Sequence, residues 1–237
     1  MKNKVILITG ANGGLGSVFV KKLLELEPSK IYCTARDIKS LENIKEMSNI
    51  IEILQMDITS KNSINEAISK IDTLDVLINN AGVNSNKKLF DESFYDLDVN
   101  LKGTVNLTQA LFEKLKESKG TVVNVTSVLA LVNLPILSSY CVSKSALHSF
   151  TQALRAEFGL FGGEVYEVLP GPIDTKMTEG SSLEKTQPED IVDAVIHEIK
   201  KKEFEIFPDK FSQMVKKRLS ENPDELIKEF AMSLQYN

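Results

Sequence analysis

The stretch SYCVSKSAL, residues 139 to 147, sets Tyr140 and Lys144 four positions apart among small residues. Positions i and i+4 of a helix share a face, so the ammonium can approach the phenol. A phenol with a pKa of ~10 exchanges protons poorly at neutral pH, and a nearby positive charge favours the phenolate and moves it toward the working range. The pair therefore reads as a general acid and base. Ser127 ends the preceding apolar run, 13 positions before Tyr140. A tyrosine and a lysine also meet at this spacing by chance on ordinary helices, so the surroundings carry the weight.

The second chemical signal is VILITGANGGLGSVF, an apolar run passing through a glycine loop into an amphipathic segment. Gly10, Gly14 and Gly16 permit a tight turn, a close approach of backbone to a pyrophosphate and close helix-to-strand contact, while the following helix offers unpaired N–H groups to an anion. Alone, such a loop is simply flexible. Further motifs follow in order: MDIT at Asp57, NNAG at Asn79 to Gly82, VN at Asn100, NVTS ending in Ser127, YCVSK at Tyr140 to Lys144, and PGPIDT at Pro170 to Thr175. Together they resemble the classical short-chain dehydrogenase/reductase family over about residues 4 to 207.

That resemblance implies a catalytic set of Asn100, Ser127, Tyr140 and Lys144. Tyr140 would protonate a carbonyl oxygen that Ser127 holds. Lys144 would tune Tyr140 and hold the nicotinamide ribose, and Asn100 would support a water leading protons to Lys144. It implies cofactor contacts from Gly10, Asn12, Gly14, Leu15 and Gly16, from Asp57 and Ile58 near adenine, and from Asn80, Ala81 and Gly82 near the adenosine ribose. Pro170 and Ile173 would wall the nicotinamide, and Thr175 would bond its carboxamide or the phosphates. Each has a bland counterpart: Asp57 could start a turn, Asn100 could be a buried amide at a helix kink, and Pro-Gly-Pro is an ordinary turn.

The second strand ends CTARD, which bears on the choice of dinucleotide. An NAD site usually places an acidic residue here to hold the ribose 2′-OH. Ala35 occupies that position and Arg36 follows it, which suits the 2′-phosphate of NADP through a charge-assisted contact. Asp37 reads as a helix cap; with the loop shifted by two residues it would take the ribose and favour NAD.

These residues need elements to position them. Short β-branched runs alternate with longer amphipathic ones, the signature of parallel strands joined by helices. The expected strands are Lys4 to Thr9, Lys30 to Ala35, Ile51 to Met56, Val76 to Asn79, Thr121 to Val125, Val165 to Leu169 and Glu203 to Phe207. The fold class is α/β: a Rossmann-type, doubly wound, seven-stranded parallel sheet flanked by helices, in a single domain over 1–237. Helices are expected near 15–27, 38–47, 61–70, 91–117 with a break, 139–160 and 188–202, with Asp37, Ser60 and Pro188 marking starts. The extension 208–237 reads as two helices divided at SENPDEL, where Asn222 can cap and Pro223 can open the second helix. Phe211, Val215, Leu219, Leu226, Phe230 and Leu234 form a stripe expected to pack on the core.

The chain has 237 residues, 42% hydrophobic, with 28 basic and 33 acidic side chains and a net charge of −5. That balance gives no footprint for nucleic acid or an anionic membrane, and no run of about 18 apolar residues suggests a membrane span. Two cysteines are too few for a disulfide framework, no metal site is spelled out, and the amino terminus lacks the pattern of a signal peptide. A reducing, cytoplasmic setting is expected. His148 and His197 have no partner at triad or metal spacing and read as surface or contact residues.

Val83, Val128, Leu129, Leu134, Leu137 and Met177 lie near the motifs, and the loop from Thr175 to Gln187 offers no arginine for a carboxylate. The expected reaction is hydride transfer between NADP, or NAD, and a small carbonyl or alcohol, with a hydrophobic ketone, aldehyde or quinone as substrate. A dinucleotide-binding sensor or scaffold that lost the reaction is the rival of another class. An epimerase or dehydratase would need a larger carboxyl-terminal region. The resemblance further implies a homodimer or homotetramer, with Leu147, Phe150, Leu154 and Phe158 as candidates for the seam, unless the monomer buries them itself.

Overall fold

The computed structural model describes residues 1–91, 94–180 and 182–234. Seven strands form one parallel sheet: β1 (Val5–Thr9), β2 (Lys30–Ala35), β3 (Ile51–Gln55), β4 (Val76–Asn79), β5 (Thr121–Val125), β6 (Glu164–Val168) and β7 (Glu205–Ile206). Their order is β3-β2-β1-β4-β5-β6-β7, so the chain reverses its direction of travel between β1 and β4. In open α/β sheets the crevice at such a reversal, beyond the carboxyl ends of the strands, is where ligands bind. The expected seven strands are all present, and β7 is shorter than its run suggested.

Alternation along the strands divides the core between two faces. Ile6 and Ile8 face α1 (Gly14–Leu24) and α7 (Pro188–Lys201), meeting Val18, Phe19, Ile191 and Val195. Leu7, Leu77, Val122 and Val165 face the other way, onto α3 (Lys61–Ile68), α4 (Thr104–Ala110), α5 (Phe112–Glu117) and α6 (Ser138–Gly159). A short turn of helix, Ile38–Leu41, leads into α2 (Glu42–Lys45) where one helix was expected. Asp37 caps that turn by accepting from the Lys39 N–H, and Ser60 caps α3 by accepting from Ser63.

The helix expected over 91–117 with a break does break. Residues 92 and 93 lie outside the described residues; Leu97–Gly103 then winds as a π-helix, and the chain breaks at Leu111 between α4 and α5. A π-helical turn carries an extra residue, which shifts side chains around the axis and often marks a functional site. Here it turns the Asn100 amide into the interior. A second set of buried polar groups ties sheet to helices: Asn79 Nδ2 donates to Thr108 on α4 and to Asn124 Oδ1, and Asn124 Nδ2 donates to Thr151 on α6.

The carboxyl-terminal segment forms α8 (Lys210–Glu221) and α9 (Pro223–Ala231). Phe211, Val215, Leu219, Leu226 and Phe230 pack with Val128, Val132 and Leu169, so the stripe is a packed face; Leu234 stays half exposed, and residues 235–237 lie outside the described residues. Asn222 does not cap α9 with its oxygen. Its amide donates instead to Glu225, an alternative the side chain can take because Pro223 leaves one fewer N–H to satisfy.

Leu147, Leu154 and Phe158 are buried within the monomer, and Phe150 packs against the same face. Three of the four candidate seam residues are thus internal, and Phe150 is half-buried. Phe158 sits edge-on to Phe112 at 6.1 Å and tilted against Phe161 at 4.9 Å. Phe158→Ala is expected to lower stability by about 3–5 kcal/mol, read by urea denaturation, because a fully buried ring leaves a cavity that its neighbours fill only in part.

Candidate active site

A cleft of about 710 Å³ opens at the β1/β4 reversal. Its lining includes Gly10, Asn12, Gly14, Leu15, Gly16, Arg36, Asp57, Ile58, Asn80, Ala81, Gly82, Ser127, Tyr140, Lys144, Pro170, Ile173 and Thr175. Every sequence-derived site residue except Asn100 therefore reaches one cavity.

The glycine end is built by close approach. Gly10 has φ +62°, and a Cβ there would lie 2.9 Å from Ala81 Cα. A Cβ on Gly16 would meet the Gly10 carbonyl at 2.2 Å, and one on Gly14 would meet the Thr175 methyl at 2.8 Å. Helix α1 starts without a side-chain cap and without an acidic residue in its first turn, so its leading N–H groups and positive end are available to an anion. Thr9 was not singled out by sequence reasoning. Its hydroxyl accepts from the N–H groups of Asn80 and Ala81, while the Asn80 amide donates back to the carbonyls of Thr9 and Gly10, so β1 and β4 are laced together beneath the cleft.

Beyond the end of β2, Arg36 borders the cleft with its guanidinium 3.4 Å from the Tyr95 hydroxyl. Asp37 is occupied as a cap, in line with the first reading of CTARD. Asp57 also does the bland thing: its carboxylate accepts from the N–H and hydroxyl of Thr59 and shapes the turn before α3, yet it still borders the cavity.

At the other end, Tyr140 and Lys144 share a face of α6 beside the carboxyl end of β5. The Lys144 ammonium lies 5.6 Å from the centre of the Tyr140 ring and donates to the Val125 carbonyl at 2.9 Å. The expected acidified phenol is not what this geometry produces. Burial raises the Tyr140 pKa above its ordinary value, the Ser127 hydroxyl pulling only part of the way back. Burial also brings Lys144 down to about 8, against the opposing fields of Glu167 and Asp96. Removing water penalises the phenolate, and the Ser127 hydrogen bond is the contribution that opposes it. Ser127 holds its loop as well, accepting from the Leu129 N–H and donating to the Pro170 carbonyl.

Asn100 lies behind this end, fully buried. Its Oδ1 accepts from the Val83 N–H, and its Nδ2 donates to the Val83 carbonyl and the Ser143 hydroxyl. Asp96, one turn earlier and also missed, accepts from the N–H and hydroxyl of Ser85. Together they clamp the loop after β4 against α6. Val83 and Met177 line the cavity, but Val128, Leu129, Leu134 and Leu137 do not, and Val128 is packed beneath α8 and α9. His148 is no simple surface residue either: its Nδ1 lies 2.9 Å from a carboxylate oxygen of Glu167.

The family model for short chain dehydrogenase matches residues 4–186. The chain belongs to that family. An uncharacterized oxidoreductase of Staphylococcus epidermidis is 30% identical over 210 residues, 83% of this chain and 91% of that one. The crystal structure of a short chain dehydrogenase from Burkholderia cenocepacia in complex with NADP superposes with a TM-score of 0.92 at 30% identity, over 97% of this chain and 98% of that one. A short-chain dehydrogenase from Streptomyces avermitilis, at 21% identity and a TM-score of 0.83 over 100% and 99% of the two chains, shares the fold.

One contact joins this short-chain dehydrogenase site to the carboxyl-terminal helices. Asp209, nearly fully buried, accepts from the Gly171 N–H with one oxygen and from the Ser212 N–H, at the start of α8, with the other. Asp209→Ala is expected to cost about 1–2 kcal/mol of stability, as a lost cap does, and to raise the dissociation constant for dinucleotide by freeing the Pro170–Ile173 wall. Thermal melting and fluorescence titration with NADPH check the two effects.

Proposed function

We propose that this protein is an NADP-dependent oxidoreductase acting on a small carbonyl or alcohol substrate of hydrophobic character. The observation that carries the reading is the convergence of Ser127, Tyr140 and Lys144 on the same cavity whose far end is an uncapped glycine-helix cradle. Such a cradle fits a dinucleotide pyrophosphate, and the crowding at Gly10, Gly14 and Gly16 is the backbone approach that a pyrophosphate requires. The bound nicotinamide would supply or accept the hydride.

The chain's own groups handle the oxygen and its proton. The Tyr140 side chain borders the cavity, its hydroxyl donates to the carbonyl oxygen, and a pKa above the ordinary value keeps it protonated for that step at neutral pH. Ser127 bonds the same oxygen and orients it. Lys144 would hold the nicotinamide ribose and resupply the proton. Asn100 fixes the loop after β4 and, by family resemblance, supports the water that feeds Lys144. Val83 and Met177 make the substrate side apolar, which supports a ketone, aldehyde or quinone. Arg36 beside the open end supports NADP over NAD, as does the engagement of Asp37 in capping. Residence in a reducing cytoplasm belongs to the same reading, supported by two buried thiols, Cys33 and Cys141, that form no disulfide. So does assembly as a homodimer or homotetramer, which rests on the family alone.

Absorbance of NADPH followed across a panel of hydrophobic ketones, aldehydes and quinones should reveal turnover, and Tyr140→Phe should reduce it by at least about 10²-fold while cofactor still binds. Tight NADPH binding with no turnover of any compound would make the protein a dinucleotide sensor. Arg36→Ala should weaken NADPH by roughly 10–100-fold, the equivalent of about 1.5–3 kcal/mol for bonds to a charged group, and leave NADH nearly unchanged. Equal losses for both cofactors would remove Arg36 from the 2′-phosphate.

A further inference from the structure

Tyr95 stands where the loop after β4 runs into the π-helix Leu97–Gly103. Its neighbour Asp96 is wholly buried and accepts from the N–H and hydroxyl of Ser85, so the backbone that carries the Tyr95 ring is anchored. The ring itself stays 41% exposed and borders the cleft. Arg36 borders the same cleft from the end of β2, and its guanidinium donates to the Tyr95 hydroxyl at 3.4 Å. Because β2 and β4 lie on opposite sides of β1 in the sheet, this contact joins the two rims of the cleft.

A phenol that accepts a hydrogen bond keeps its own hydrogen to give. Tyr95 gives its hydrogen to nothing among the described residues, whereas the other hydroxyls lining this end have spent theirs: Thr34 donates to the Ile8 carbonyl, Ser40 to the Asp37 carbonyl and Thr59 to the Asp57 carboxylate. The Asp37 carboxylate is turned to the Lys39 N–H. Arg36, for its part, has no carboxylate at ion-pair distance among the described residues. A cation without a counter-ion and a hydroxyl with an undelivered hydrogen therefore stand side by side. A phosphate, with three strong acceptor oxygens, can take a charge-assisted bond from each of them at once.

We propose that Tyr95 is a specificity-determining residue for the dinucleotide, donating its hydroxyl hydrogen to the 2′-phosphate whose charge Arg36 meets. The inference rests on the NADP reading of Arg36, and it adds the opposite rim of the cleft to that recognition. NADH carries a hydroxyl where NADPH carries the phosphate, so the Tyr95 hydroxyl weighs on one cofactor only.

Adenosine 2′,5′-bisphosphate and 5′-AMP differ by that one phosphate, and titrating each into the full chain by calorimetry reads binding with no nicotinamide and no turnover. Tyr95→Phe, which removes one oxygen from an exposed ring, should weaken the bisphosphate about 10-fold and leave AMP within about twofold. Where AMP gives too little heat, fluorescence titration with NADPH and NADH makes the same comparison. With Arg36→Ala added, the combined loss should fall short of the product of the two single losses, because the side chains touch each other and share one phosphate. Equal losses for bisphosphate and AMP overturn the proposal, since Tyr95 would then serve the adenosine, and so does no loss for either. Arg36→Ala alone separates the two levels: if it costs the bisphosphate no more than AMP the NADP reading falls, whereas a selective loss there beside an unaffected Tyr95→Phe sinks only the role of Tyr95.

Discussion

Lys144 holds an ammonium almost entirely out of water beside a phenol, and much of the surrounding structure answers to that arrangement. An isolated charge in a protein interior costs several kcal/mol even after relaxation. The chain meets this with a carbonyl at the end of β5, which is free because the strand stops there, and with carboxylates set back in the packing. The lysine is reachable from the cleft, yet its chemistry is set from behind. Burial lowers it, while the fields of Glu167 and Asp96 raise it, and the balance leaves a group that titrates at about 8.

The second constraint is backbone crowding where β1 and β4 diverge. Gly10 and Ala81 come so near that a methyl group on the former has no room, and Thr9 and Asn80 exchange hydrogen bonds across the same gap. The two strands therefore fix one floor for the cleft. The loop after β4 is held from above by Asn100 and Asp96, and the Pro170–Ile173 wall is held by Asp209 from the carboxyl-terminal helix pair. Each wall is anchored by a buried polar side chain from a different part of the chain. That makes the cavity a product of the whole fold, including helices that follow the last strand.

The strands were legible because parallel strands buried on both faces must be written in continuous β-branched text, and VILI and TVVNV are such text. Helix ends were legible where a side chain has one local job, as at Asp37 and Ser60. The division of the long helix into π and α segments was not, since a π turn is stabilised by what it packs against: Asn100 reads as a poor helix former in the sequence and becomes a clamp only when Val83 and Ser143 are beside it. Likewise, the apolar residues Val128, Leu134 and Leu137 lie close in sequence to the site motifs, but proximity along the chain says nothing of which side of a loop faces the cavity, and Val128 faces α8 and α9 instead.

By itself the sequence determined the doubly wound sheet, the glycine cradle, and the identity and spacing of Tyr140, Lys144 and Ser127, because those depend on local periodicity and on residue types that few other uses require in that order. Tertiary structure alone decided the electrical character of the site. Whether a phenol is acidified depends on how much water is removed from it compared with how near a charge comes, and both are distances through space. It also decided that Glu167, an acidic letter in a strand, and His148, an unpaired letter in a helix, meet at 2.9 Å, since strand and helix come together there only through the packing of the fold.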